Sequence, residues 1–258
     1  MKRLLLSLAM VLALAAPSFA AEDIVVGVTP FPHKDIMLAA KPLLAKEGYN
    51  LVIKEFTDYV QPNMALASKQ LFANFFQHEP YLDNMNKEKK LDLVSIGKVH
   101  IEPLGVYSKK IKKLADLKKG NSISVPNDPT NEARALRLLE ANGVITIKPG
   151  ALVTVADITK NPLGLKFHEL DAAQLPRTLD DVTASVINTN FAGEAGLVPA
   201  RDALVMEGSE SPYANIVVVR NEDKDSPKAK ALMKAVQSPE VKAYIQKNLV
   251  ERGIVPVF

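Results

Sequence analysis

The chain has no cysteine, no tryptophan and only four histidines. Without cysteine it forms no disulfide, offers no thiol nucleophile and carries no sulfur on which a mature N-terminus can be lipidated. Aromatic residues make up only 6% of it, and without indole a carbohydrate site built on ring stacking is not expected. No basic stripe or acidic tail stands out, so charge gives no reason to propose nucleic acid as a partner. Internal repeats, low-complexity tracts and long linkers are missing. So are the Gly-x-Ser-x-Gly elbow, the His-Glu-x-x-His pair and the Gly-rich phosphate loop. No enzyme and no cofactor is expected.

What is present begins with an address. Lys2 and Arg3 form a positive start, Leu4 to Ala16 an apolar stretch, and Ser18 and Ala20 are the small residues of a cleavage site. The apolar stretch is too short to span a bilayer. Export with cleavage near Ala20 is therefore expected, giving a mature chain from about Ala21. The formal charge of +3 then drops by the two lost cations. Roughly 240 residues remain, enough to bury a sizeable core in one or two domains.

Apolar residues then alternate between strand and helix spacing. Ile24–Val28, Leu51–Phe56, Phe72–Phe76, Leu91–Gly97 and Gly105–Tyr107 read as strands. Asp35–Lys46, Pro62–Ser68 and Pro80–Lys89 read as helices between them. In the second half Ser122–Val125, Lys166–Leu170, Ser185–Ile187 and Ile216–Arg220 read as strands. Thr130–Asn142, Phe191–Gly196, Lys228–Val236 and Pro239–Leu249 read as helices, Leu114–Leu117 as a helical turn, and Leu175–Leu179 as the lead-in to a further helix. Such alternation implies an α/β fold with mainly parallel sheet. If there are two lobes, Leu104–Tyr107 and Pro212–Ile216 are the places where the chain crosses.

The densest signal is Val125–Gly143, VPNDPTNEARALRLLEANG. A short strand enters a Pro-Asn-Asp-Pro turn, Asp128 is suited to cap the next helix and Pro129 to open it. Asn131 and Arg134, three apart, share one helix face. The free N–H groups of the first turn and a guanidinium then point one way. This is a receptor for a small carboxylate and suggests a protein that binds an amino acid. Two plainer readings stand beside it: Arg134 as a solvated helix arginine, as expected for Arg137, and Asn131 as a first-turn cap.

Seven segments occur in a telling order: FTDYVQPN, NFFQHEPYLD, GVYSKKIKKLADLKKG, the Val125–Gly143 stretch, ELDAAQLPRTLDD, VINTNFA and SPYANIVVVR. Together they resemble the NlpA-type family of methionine-binding proteins, the solute receptors of methionine ABC importers, over essentially the whole mature chain. The resemblance implies a bilobed, type II-like periplasmic binding protein: two mixed-sheet α/β lobes joined by two crossover strands. Residues 1–20 would be the signal peptide, 21–106 plus 214–258 lobe 1, and 107–213 lobe 2. It implies L-methionine as ligand, a permease and its ATPase as partners, and a monomer. Members are commonly lipoproteins with a cysteine at the cleavage site; SFAAED has none, which implies a receptor free in the periplasm.

The resemblance assigns Arg134 to the ligand's carboxylate, where two parallel charge-assisted bonds are possible, with Asn131 donating beside it. Asn188, at a strand end where α/β folds collect ligands, would accept from the ammonium, and Asn215 would reach in from the crossover; for both, turn chemistry is the plain alternative. Tyr59, Phe76, His78 and Tyr81 would enclose the thioether, whose contacts with aromatic edges contribute about 0.3–1.5 kcal/mol each. Phe76 and Tyr81 equally suit an ordinary core. No metal site is expected: Pro80 interrupts the helix that would pair His78 with nearby acids, and His33, His100 and His168 lie in separate segments. A receptor of the same fold for another amino acid or a dipeptide, and a surface adhesin keeping the fold, are the rival readings.

Overall fold

The structure is a computed structural model that describes residues 21–208 and 211–258. The expected signal peptide and its cleavage site lie outside the described residues. No helix among the described residues is long and apolar enough to cross a membrane.

Among the described residues thirteen strands run in chain order: β1 (Glu22–Val28), β2 (Tyr49–Glu55), β3 (Ala73–His78), β4 (Leu93–Ile101), β5 (Gly105–Tyr107), β6 (Ser122–Pro126), β7 (Thr146–Ile147), β8 (Ile158–Lys160), β9 (Lys166–Leu170), β10 (Ala184–Ile187), β11 (Ala203–Met206), β12 (Ala214–Arg220) and β13 (Val255–Pro256). One six-stranded sheet has the order β13-β4-β12-β3-β1-β2, and a five-stranded sheet has the order β11-β5-β10-β6-β9. Both are mixed. β1, β2 and β3 are parallel, whereas β12 lies antiparallel between β3 and β4. In the second sheet β6, β9 and β10 are parallel and β5 and β11 antiparallel. The mainly parallel sheet implied by alternation is thus corrected, because β12 returns to the first sheet from the second and enters against its neighbours.

The first sheet is covered on both faces, and β12 shows the period of two directly. Val217 and Val219 pack with helices α1 (Asp35–Lys46), α7 (Pro227–Val236) and α8 (Pro239–Asn248), while Ile216 and Val218 pack toward α2 (Gln61–Ala67) and α3 (Glu79–Lys89). Local chemistry sets the helix starts. Ser226, Ser238 and Asp128 each accept a backbone N–H with their side chain and each precedes a proline. Pro42 sits inside α1 on the exposed side, where the carbonyl it leaves unpaired meets water.

In the second sheet, Ile123 and Val125 of β6 and Ala184 and Val186 of β10 pack with the apolar face of α4 (Pro129–Ala141). On the opposite face a 3₁₀ helix, Ala172–Asp180, packs with α5 (Thr189–Glu194). The helix expected after Leu179 does not form; the 3₁₀ segment itself ends at Asp180 and the chain enters β10. β4 of the first sheet ends at Ile101 and β5 of the second begins at Gly105, while β11 of the second ends at Met206 and β12 of the first begins at Ala214, beside the crossings expected at Leu104–Tyr107 and Pro212–Ile216. The sequence reading also missed β11, β13, the β7–β8 pair and the short α6 (Pro199–Asp202), all too brief to show a period.

Candidate functional site

Strand register builds the first wall. In the first sheet Asn215 of β12 lies opposite His78 of β3 on one side and His100 of β4 on the other. These three polar residues form one row across the end of the sheet. Beyond β3, the His78 Nδ1 accepts the Tyr81 N–H at 3.2 Å and so caps α3. The opposite wall comes from the first turns of α4 and α5, which follow β6 and β10. A narrow cavity of about 20 Å³ lies between the walls, little more than the room one water molecule needs. All eight residues singled out in the sequence line it, together with Gln77, Glu102, Thr189 and Asn190.

Two buried contacts join the walls. His78 Nε2 donates to Asn131 Oδ1 at 3.1 Å, and Tyr59 OH donates to Asn190 Oδ1 at 2.6 Å. The proton on His78 follows from its neighbours. Asn131 Nδ2 donates to both oxygens of Asp128, at 2.9 and 3.0 Å, so its Oδ1 is an acceptor and the imidazole must donate through Nε2. Burial, then the nearby Arg134 charge, lowers the His78 pKa to about 3. Asn188 Nδ2 donates to the same Asn131 oxygen at 3.0 Å. The amide of Asn131 is therefore fully occupied. The donor role expected for it does not match this arrangement; it ties α4 to His78 and Asn188.

Arg134 also differs from expectation. It is buried, with 3% of its surface exposed, so it is no solvated helix residue, but its fork is already engaged. Nε and NH2 donate to the Glu207 carboxylate at 2.8 and 2.5 Å, and NH2 also donates to the Glu102 carbonyl at 2.8 Å. The guanidinium lies 4.3 Å from the ring centre of Tyr213. NH1 makes no hydrogen bond among the described residues, and Arg134 lines both this cavity and a neighbouring one beside Glu207 and Tyr213. The two parallel bonds expected toward a ligand are made to Glu207 in this structure.

Asn188 precedes α5 without capping it, and its buried Oδ1 has no partner among the described residues. The turn chemistry weighed for it is absent, and an acceptor stands open on the wall. Asn215 Oδ1 accepts from His33 Nε2 at 3.0 Å, which leaves its amide hydrogens for the cavity. The aromatic end is compact. The Tyr59 ring centre lies 5.9 Å from both Phe76 and Tyr81, and Phe76 and Tyr81 meet edge-on at 6.1 Å. With Met85 they form a small apolar cluster of their own. Burial raises the pKa of Tyr59 and Tyr81, so both hydroxyls stay protonated donors.

The sequence reading missed Glu102, Asn190, Glu207 and Tyr213. Asn190 is two residues past Asn188 in the same helical turn, and Glu102 follows β4 as Asn188 follows β10, so strand-end position was an available signal for both. Glu207 carried none, being 73 residues from Arg134. His33 and His100, read as scattered, are corrected: β4 and the Pro30–Lys34 turn bring their rings to 5.1 Å. With Glu102 they place three ligand-type atoms within 4.8 Å of one another. Two residues before His33, the Phe31 ring packs tightly on α5: a side chain at Gly193 would meet it at 2.5 Å.

Similarity to known proteins follows this geometry. The NlpA lipoprotein family model matches residues 24–258. Outer membrane lipoprotein 3 of Mannheimia haemolytica is 48% identical over 89% of this chain and 89% of its own. The D-methionine-binding lipoprotein MetQ of Salmonella typhi is 47% identical over 81% of this chain and 79% of its own. Among solved structures, a nutrient-binding protein of Burkholderia cenocepacia bound to methionine is 51% identical, with a TM-score of 0.88 over 91% of this chain and all of that one. The chain belongs to the NlpA lipoprotein family.

Proposed function

We propose that this protein is the extracytoplasmic receptor of an ABC importer and holds methionine in the cavity between its two sheets. The observation that carries the reading is the cavity's polarity. One end is Arg134 with Asn215, and the other is the Tyr59, Phe76 and Tyr81 rings. A free amino acid with a flexible apolar tail matches both ends: its carboxylate meets the guanidinium and its thioether the ring edges.

Lobe 1 is residues 21–104 plus 214–258 and lobe 2 is residues 105–213, a boundary moved from 106 so that β5 stays whole in the second sheet. Ligand contacts both lobes, so it favours the closed arrangement over the open one, and closure presents the surface that the permease reads. A permease and its ATPase are the partners, and the receptor acts as a monomer without catalysis. With no cysteine anywhere in the sequence, it moves freely in the periplasm after cleavage near Ala20, unlike its lipid-anchored relatives.

The test is a thermal-shift series with L-methionine, D-methionine, leucine and glutamine. A ligand at about 1,000 times its Kd stabilises by about 4 kcal/mol, which raises Tm by roughly 8 °C or more in a domain of this size. A rise with L-methionine and none with leucine or glutamine is expected. The D-methionine arm decides the enantiomer, which the Salmonella relative's name puts in question. No rise with either methionine refutes the reading.

A further inference from the structure

Glu102 is buried on the cavity wall and lies in the first connection between the sheets. His100 Nε2 donates to its Oε1 at 2.7 Å, and His33 Nε2 stands 3.3 Å from the same oxygen. Neither histidine supplies a positive charge at neutral pH. Burial lowers the pKa of His33 to about 4 and that of His100 to about 3. The nearest guanidinium, Arg134, is bonded to Glu207 and touches Glu102 only through the backbone carbonyl. Glu102 is therefore a buried acid with two neutral orienting neighbours and no cation of its own among the described residues. Burial pushes its pKa up. A carboxylate in that position is costly until a positive charge arrives.

A metal ion is one candidate, since His33, His100 and Glu102 have suitable atoms near one another. His100 argues against it. Its Nδ1 is buried without a partner among the described residues. A metal on Nε2 would force the proton to Nδ1 and strand a buried donor, whereas ligating histidines nearly always donate that N–H to something. With the proton on Nε2, the imidazole donates to Glu102 as observed and only an acceptor is left bare.

The cation the site lacks has another source. We propose that Glu102, held in place by His100 and His33, is a specificity-determining residue that pairs with the ammonium group of the bound amino acid. This inference rests on the amino-acid reading above. The arrangement separates the two ends of a zwitterion. Arg134, on the cavity wall, takes the carboxylate, while Glu102 and the unpartnered Asn188 Oδ1 take N–H donors of the ammonium. The chemical class admitted is thus a free α-amino acid with an unblocked, charged nitrogen. Hydroxy acids and N-acylated amino acids would leave the carboxylate unpaired and are excluded by that cost.

Calorimetry on the intact mature chain tests this with two probes, methionine and its hydroxy-acid analogue, in which a hydroxyl replaces the ammonium. The variants are Glu102→Gln, which keeps shape and removes charge, and Glu102→Asp, which keeps charge and withdraws it by one methylene. Wild type is expected to prefer methionine strongly. In Glu102→Gln, methionine affinity falls by roughly 30-fold or more, as for other broken buried charge pairs. Affinity for the hydroxy acid changes by less than about threefold, so the preference collapses. Glu102→Asp loses methionine affinity in the same selective way. Equal losses for both probes, or unchanged methionine binding in Glu102→Gln, overturn the assignment while leaving the amino-acid reading intact. Wild type that binds no amino acid at all overturns both.

Discussion

Replacing Arg134 tests two roles that occupy the same guanidinium. In the structure its Nε and NH2 hold Glu207, NH2 holds the Glu102 carbonyl, and the residue lines the cavity. Arg134→Ala therefore strands the Glu207 carboxylate, whose side chain is 14% exposed, with only the Leu104 N–H at 2.9 Å. Breaking one side of such a pair costs about 3–5 kcal/mol of stability, or roughly 6–20 °C in Tm for a domain of this size. Methionine affinity should fall by about 30-fold to several thousand-fold, corresponding to about 2–5 kcal/mol. The second variant, Arg134→Met with Glu207→Gln, separates the effects. Neutralising both partners should restore most of the stability, because a buried pair replaced by neutral groups is often near neutral. It should restore none of the binding. Calorimetry with methionine and chemical denaturation, read as a double-mutant cycle, supply both numbers. Methionine affinity within threefold of wild type in Arg134→Ala would sink the carboxylate role; recovery of binding in the double variant would show that the loss came from Glu207.

Three further outcomes are expected. Tyr59→Phe removes the 2.6 Å bond to Asn190 that joins the walls, so methionine affinity should fall by about tenfold, in line with ~1–3 kcal/mol for a buried group left unpaired; an unchanged Kd would separate that bond from the bound state. Asn131→Ala strips the oxygen that accepts from both His78 and Asn188, and denaturation should show a loss of about 2–3 kcal/mol; a loss of a few tenths would contradict its place as the tie. His78, with its pKa lowered to about 3, binds a proton more readily when unfolded. Its contribution to stability is complete above the ordinary histidine pKa near 6.5 and is lost as pH falls toward 3. Relative to His78→Gln, wild type should lose about 1.4 kcal/mol per pH unit below 6.5, and nitrogen NMR should find a neutral Nε2–H ring at pH 5. A ring that titrates near 6.5 would refute its burial beside Arg134.

Local chemistry made much of this protein legible from the sequence alone. Helix α1 was read with the bounds it has, and the caps at Asp128, Ser226 and Ser238 sit where a polar residue precedes proline. Short apolar runs made β1, β6 and β12 legible, because each face of those strands is covered. The eight site residues were found because seven segments carry the family pattern and because strand ends and first helical turns are short-range features. What those side chains bond to is different in kind. Asn131 has Asp128 three residues away but His78 and Asn188 more than fifty away. Arg134 meets Glu207, and His33, His100 and Glu102 converge, only because β12 inserts between β3 and β4 and returns the chain past the first crossing. Sequence spacing thus determined which groups stand at element ends, since capping and periodicity act within a turn or two. The tertiary structure decided which donors and acceptors are already spent on each other and which remain for a ligand, since burial brings together partners that no local rule connects.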